Sequence, residues 1–331
     1  MATAESGISL LARIGNRPNI SNINKQIFPS GLQCPHVIEI NGQPGSGKSH
    51  FCLNLITSVL LPKSFKGICI DGCDAGVIFI DTDQHFNILQ LGNFVEQKIR
   101  KSLRKVKESI KNECDDKSKI ELLLDKSEFI SFVKKRKSEQ KRQISELVKK
   151  ILENFIYLKC VDSNQYATTL LSIDSIIMHK TKVSLVIIDS ISAFYWHDRI
   201  YRADTWHKTE QFYNKIFKVF LNFIKKYKLV LLFTRQDLFN KQNFDKDAKK
   251  HCDAETEELS YEFMGKELSN GVNTKINLQL CISSIKKNVR NISCEKDPLN
   301  RAVYCVEIAD NDTKRCLYVT YHEDGINLFD S

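Results

Sequence analysis

Apolar runs of strand length recur along the chain: "HVIEING" from His36, "GVIFIDTD" from Gly76, "VSLVIIDS" from Val183 and "KLVLLFTRQ" from Lys228. Stretches of helical periodicity separate them, notably Ser49 to Leu61 and Trp206 to Tyr227. Apolar strands alternating with helices predict parallel βαβ units, and so an α/β fold with helices on both faces of a doubly wound sheet. Later runs, "TKINLQLCISSIKK", "RAVYCVEIADN" and "RCLYVTYHEDG", alternate apolar with polar residues and predict a β-meander that finishes the sheet. At the start, residues 5–15 place Ile8, Leu11 and Ala12 or Ile14 at helical spacing, followed by the Asn-rich connector "NRPNISNIN". Residues 1–35 are therefore expected to be a helix and connector, and residues 36–331 the core. Residues 98–150, rich in Lys and Glu with weak apolar periodicity, read as a helical insertion within that core.

Composition changes this picture in one respect. The formal charge of +9 belongs to a single stretch, since residues 98–150 hold 18 basic and 9 acidic side chains and the remainder balances. Eleven cysteines without a CxxC pair argue against a disulfide framework and for a reducing compartment. Cys69 and Cys73 lack the matched second pair that a zinc site needs, so buried apolar thiols are the expectation there. No signal-peptide pattern and no membrane-length apolar run is present, and the chain is expected to be soluble and intracellular.

Gly42, Gln43, Pro44, Gly45, Ser46, Gly47, Lys48 and Ser49 fill the pattern GxxxxGK[ST] between an expected strand and an expected helix. Glycines there let consecutive backbone N–H groups turn toward phosphates, with the helix N-terminus adding partial positive charge. Lys48 is expected to bridge β- and γ-phosphates of ATP, and Ser49 to ligate Mg²⁺. Asp189, closing "LVIIDS", is the expected acidic partner of the metal, the plain alternative being a cap on the next segment. "FIDTD" brings a second pair of carboxylates, Asp81 and Asp83, one of which is placed to polarise an attacking water.

The order of these motifs, phosphate loop, "FIDTD", "IIDSISAFYWHDR" and "FTRQ", resembles the ATPase core of RecA-type recombinases. "ESGISLLARI", "LLPKS" and "VIFIDTDQHFNILQL" are similar to recombinase paralogues that assist strand exchange. The resemblance implies a RecA-type sheet, ATP and Mg²⁺ held by residues 42–49 with Asp189, and a nuclear role in homologous-recombination repair. It also implies hetero-oligomeric assembly with other RecA-type paralogues, and DNA engaged through that complex. Gln236, in "FTRQ", takes the place of the family's γ-phosphate-sensing residue, and Asp83 stands where active recombinases carry Glu. Losing one methylene withdraws that carboxylate by about 1.5 Å, and a misplacement of about 1 Å costs about a hundredfold in a positioned reaction. Weak or partner-dependent hydrolysis is the expectation. The family's N-terminal DNA-binding domain is expected to be missing, and the segment before His36 is expected to dock on a neighbour.

Two surfaces bear on DNA. The stretch from Asp237 to Thr274 falls where such proteins present a DNA-contacting loop, but it carries an acidic run from Asp253 to Glu258 that repels phosphates. "KKRK" at Lys134 to Lys137, with Lys141 and Arg142, reads as a nuclear import signal, a phosphate-tracking patch or a solvated helical face. In "SAFYWHDR", Phe194, Tyr195 and Trp196 follow one another, so at least one ring is expected at the surface, where aromatics mark interfaces. Two further functions compete with the mediator: a DNA-stimulated ATPase acting alone, and a scaffold with a vestigial nucleotide loop.

Overall fold

A computed structural model describes residues 6–8, 11, 15, 17–21, 23–112, 127–195, 197–198, 206–236, 266–280, 303–310, 313–322 and 325–330. The first half of the core holds β1 (His36–Gly42), α1 (Lys48–Leu60), the hairpin β2 (Ser64–Phe65) and β3 (Ile68–Cys69), and β4 (Gly76–Asp81). Then come α2 (Ile88–Asn112), α3 (Ser127–Lys134), α4 (Lys137–Leu152), β5 (Phe155–Lys159), α5 (Ser163–His179) and β6 (Val183–Asp189). The second half holds α6 (Trp206–Lys226), β7 (Val230–Gln236), α7 (Lys266–Asn270), β8 (Thr274–Leu280), β9 (Val303–Asp310), β10 (Lys314–His322) and β11 (Gly325–Asp330).

Nine strands form one sheet in the order β11-β10-β9-β8-β1-β7-β6-β4-β5. From β8 to β5 every pairing is parallel. From β8 to β11 every pairing is antiparallel, which is the meander. Alternate strand residues feed two cores, as a period of two requires when both faces are covered. Ile38, Ile40, Val77, Phe79, Leu185 and Ile187 pack against α1 to α4. Val37, Ile78, Ile80, Val186 and Ile188 pack against α5, α6 and Leu268 of α7. The expected doubly wound architecture is the one found.

The Lys-rich stretch is more firmly seated than its sequence suggested. Helix α2 starts at Ile88 and runs unbroken past residue 98. Phe94, Val95, Ile99 and Leu103 form its buried stripe, joined by Phe129, Phe132, Ile144 and Ile151 of α3 and α4. The stripe was hard to see because lysines and arginines fill the other positions and dilute the mean hydropathy. Helix α4 packs along α2, with Leu152 at its end beside Gly92 in the first turns of α2. The "KKRK" run falls at the α3–α4 junction. Strand β5 is an element that the sequence reading passed over, although "FIYLK" is an apolar run of strand length between polar residues.

Of the expected N-terminal helix, the described residues Gly7, Ile8, Leu11 and Gly15 are helical, with Ile8 and Leu11 largely exposed. The connector after them is not free to dock elsewhere. Arg17 donates to the carbonyls of Ile177 (2.8 Å) and Val183 (2.7 Å), and its guanidinium lies over the Tyr227 ring. Ser184 donates to the Pro18 carbonyl at 2.7 Å, and Ile20 and Ile27 are completely buried in the first core. The expectation that the whole segment before His36 serves a neighbour is corrected accordingly: residues 17–35 belong to their own core. None of the helices among the described residues is long and apolar enough to cross a membrane.

Truncation before Arg17 is expected to leave thermal unfolding unchanged. Truncation before His36 removes Ile20, Ile27 and the Arg17 clamp, at about 2–5 kcal/mol for each large buried aliphatic lost. Calorimetry should then show no cooperative transition; a normal transition in the longer truncation would refute the assignment of residues 17–35 to the core.

Candidate functional site

The site lies at the carboxyl ends of the parallel strands, where α/β sheets place their ligands. Register sets its members level: Gly42 pairs with Gln236 across β1 and β7, and Asp81 pairs with Asp189 across β4 and β6. All the sequence-predicted residues therefore converge, from four different strands and the loop between β1 and α1.

The loop has the backbone that its glycines allow. Gly45 and Gly47 have φ of 79° and 88°, the left-handed region that side chains avoid. Gly42 is required by closeness, since a Cβ there would sit 2.5 Å from both the Leu278 carbonyl and Ser46 Oγ. Lys48 is nearly buried and donates to the carbonyls of Gly42 (2.6 Å) and Gln43 (2.9 Å). Ser46 is buried, and its Oγ has no hydrogen-bond partner among the described residues. The first turn of α1 carries no acidic residue, so nothing there competes for an anion with its N–H groups.

Behind the loop, Ser49 Oγ donates to Asp189 Oδ2 at 3.0 Å, and Thr234 donates to the other carboxylate oxygen. A hydroxyl and a carboxylate at this spacing form an oxygen donor set suited to Mg²⁺. With the orphaned Ser46 hydroxyl and the buried Lys48, these residues fit a metal-bound triphosphate. Burial pushes Asp189 above the ordinary carboxylate range, against the hydrogen bonds from Thr234 and Ser49. The plain alternative, Asp189 as a cap on the next segment, gives way to a carboxylate engaged by Ser49 and Thr234.

The two carboxylates of "FIDTD" separate by role. Asp81 is buried and occupied, accepting from the N–H groups of Gln84 (2.7 Å) and Phe86 (3.3 Å) and from the Tyr157 hydroxyl (2.8 Å). Tyr157, on β5, is pushed up to about 12 by burial and then by Asp81. Asp83 instead turns toward the loop, where Gln236 Nε2 donates to its Oδ2 at 3.2 Å. Burial, then the charge of Asp189, push Asp83 upward. The carboxylate that stands where active recombinases carry Glu and the residue in the γ-phosphate-sensing place thus touch each other. Backbone stitching holds this arrangement: Thr82 Oγ1 donates to the Ser190 carbonyl at 2.6 Å and accepts from the Ser190 N–H at 2.7 Å.

Sequence reading missed the walls of the site. Tyr321 of β10 packs against Gly47, where an added Cβ would lie 2.3 Å from its ring. Tyr304 meets Tyr321 edge-on at 4.9 Å, and His50 lies 5.6 Å from Tyr321. Nothing in the sequence pairs these positions, which are brought together only by the meander folding back on the loop. In "SAFYWHDR", Tyr195 is buried and Phe194 packs on the second core, while Trp196 and Arg199 lie outside the described residues. Asp198 anchors that segment by accepting from Ser163 Oγ (2.7 Å) and the Tyr213 hydroxyl (2.6 Å). The acidic run from Asp253 to Glu258 also lies outside the described residues.

The Rad51 family model matches residues 132–255. That match, together with the mostly parallel sheet covered by helices on both faces, is consistent with a RecA-like core. It is similar to the DNA repair protein XRCC2 of Mus musculus, 27% identical over 258 residues that cover 76% of each chain. It is also similar to the XRCC2 homologue of Arabidopsis thaliana, 25% identical over 51% of this chain and 44% of that protein. The DNA repair protein RAD51 homolog 3 of Cricetulus griseus is 24% identical over 52% of this chain and 39% of its own length. The Rad51-family match spans β5, β6 and β7, which bring Tyr157, Asp189 and Gln236 to the site.

Two outcomes follow. Gly42→Ala forces the loop off Leu278 and Ser46, and should lower stability by about 1–3 kcal/mol in denaturant unfolding; an unchanged midpoint would show the contact to be slack. Asp83 has a folded pKa above its unfolded value. The native state is therefore favoured below the ordinary carboxylate range and loses that advantage as pH rises through the raised pKa. Asp83→Asn should raise the thermal midpoint by about 1–3 °C at neutral pH. The gain should vanish in acid, and a gain that persists there would point to another cause.

Proposed function

We propose that this chain is an ATP-binding recombinase paralogue that acts as a subunit of a mediator complex in homologous-recombination repair of DNA. One observation carries the nucleotide reading: Ser49 and Asp189 meet at 3.0 Å behind a loop whose lysine and glycines are all in place. Lys48 neutralises phosphate charge, Ser49 and Asp189 hold Mg²⁺, and the N–H groups of residues 45–49 take the phosphate oxygens. The metal bound there supplies Lewis-acid stabilisation of the charge on the phosphates.

Hydrolysis is proposed to be slow or completed by a neighbour. Asp83 is one methylene shorter than the usual Glu and is held by Gln236. That link is suited to reporting the presence of a γ-phosphate along β7 to the residues that follow Gln236. The repair role and the paralogue partners rest on the similarity to XRCC2 and to RAD51 homologues. Docking on a neighbour is assigned to the residues before Arg17, where Ile8 and Leu11 are exposed. A nuclear location goes with that role.

Calorimetry on the folded protein, with its partner, should register Mg-ATP binding that Lys48→Ala abolishes. Lys48→Ala should also reduce rescue of repair-deficient cells. Binding lost with rescue intact would favour a scaffold with a vestigial site. Brisk turnover by the isolated chain would favour an ATPase that acts alone.

A further inference from the structure

The folded form of the Lys-rich stretch changes what its charge can do. Its described parts, residues 98–112 and 127–150, keep fifteen basic residues against four acidic ones. Two of those four are already committed, Glu139 to Lys135 at 3.1 Å and Glu146 to Arg142 at 3.1 Å, in pairs one helical turn apart. Phe94, Val95, Ile99 and Leu103 of α2 and Ile144 and Ile151 of α4 point into the first core, and the exposed side chains of residues 98–109 and 137–152 are polar or charged. Arg104, Lys105 and Lys107 on α2, and Lys137, Lys141 and Lys149 on α4, are exposed. Helix α2 has 25 residues and α4 has 16, so at about 1.5 Å per residue the basic surface extends for tens of ångströms.

We propose that the outer faces of α2 and α4 form a binding surface for the phosphodiester backbone of a nucleic acid, read through charge and without base recognition. The basis is charge complementarity on a preformed, two-helix platform. Phe129 and Phe132 are buried, and no large apolar side chain is exposed among residues 98–109 and 128–152, so these parts of the layer offer neither a stacking platform nor a wedge for a lipid layer. The field on this layer is felt within it: burial and then the charge of Lys101 push the Lys98 ammonium down to about 8. Lys98 Nζ also donates to Ser58 Oγ at 2.7 Å, tying α2 to α1, the helix that begins at the phosphate loop. The surface is thus mechanically joined to the nucleotide site without being part of it. The choice of DNA as the natural polyanion rests on the repair function proposed above.

The test uses the full-length chain and labelled single-stranded and duplex oligonucleotides in a salt titration followed by anisotropy. The wild type should bind at low ionic strength, with affinity falling steeply as salt rises. Replacing Arg104, Lys105, Lys107, Lys137, Lys141 and Lys149 by Ala should reduce the slope of log K against log salt by about 3–5 and weaken binding about tenfold or more. Alanine suits exposed helix positions and relieves repulsion between like charges, so circular dichroism should be unchanged and the thermal midpoint should not fall. A charge-matched control with Ala at Lys25, Lys63, Lys180, Lys215, Lys218 and Lys314 should keep most of the slope. Equal loss in the control, an unaltered slope in the helix variant, or no binding by the wild type would each overturn the proposal. Tighter binding to phosphatidylserine vesicles than to DNA would overturn it in favour of a membrane. The repair reading is scored separately, by Mg-ATP calorimetry and Lys48→Ala rescue, so either can fail while the other stands.

Discussion

The site exists because parallel strands end level. Gly42 is aligned with Gln236, and Asp81 with Asp189, by main-chain pairing. Only that alignment lets Ser49, at the start of α1, reach the β6 carboxylate, and Gln236 reach Asp83. The register is fixed by burial on both faces. A slip of one residue would exchange Ile187 with Ile188 and Leu232 with Leu231 between two differently shaped cores. The same slip would turn Asp189 away from the loop. Core packing on either side of the sheet and the geometry of the site are therefore one constraint.

That constraint crowds like charges. Asp83 and Asp189 are both pushed upward chiefly by burial, and each lies within the influence of another carboxylate. The fold accepts this cost by giving Asp189 two hydroxyl donors and Asp83 an amide donor. Asp81 meets a different solution, being consumed by two N–H groups and the Tyr157 hydroxyl. A carboxylate so fully engaged shapes the turn after β4, whereas Asp83, beside the Gln236 amide and the Ser190 hydroxyl, lies within the influence of Asp189. The difference between two aspartates two residues apart is thus set by what surrounds them.

Much of this was legible in the sequence, for identifiable reasons. The glycine loop, Asp189 and Gln236 could be read because each follows an apolar run that could only be a buried strand. Three of the four strands of the meander could be read from alternation alone, and β11 lies beyond the last run so marked. What stayed hidden depended on distance in the chain: Tyr321 against Gly47, Tyr157 on Asp81 and Arg17 on the end of α5 are contacts that only the assembled sheet creates. Strand β5 was passed over because "FIYLK" follows a long Lys-rich stretch whose composition set the expectation. The buried stripe of α2 was diluted in the same way, its apolar residues spaced among lysines and arginines.

The seating of α2 and α4 also bears on how a strongly basic segment remains part of a folded domain. Twelve basic residues on two helices repel one another, and such a stretch left alone would extend. Ile99, Leu103, Phe129, Phe132, Ile144 and Ile151 oppose that tendency, each side chain contributing about 1.5–3 kcal/mol of burial. Repulsion between exposed charges is reduced by salt, whereas burial is not. The layer therefore stays folded with its charges facing outward and mostly uncompensated by acids. Holding like charges on a rigid surface costs stability in the free protein, and a polyanion that neutralises them returns it. The charge excess that weakens the free fold is the same quantity that would strengthen a complex.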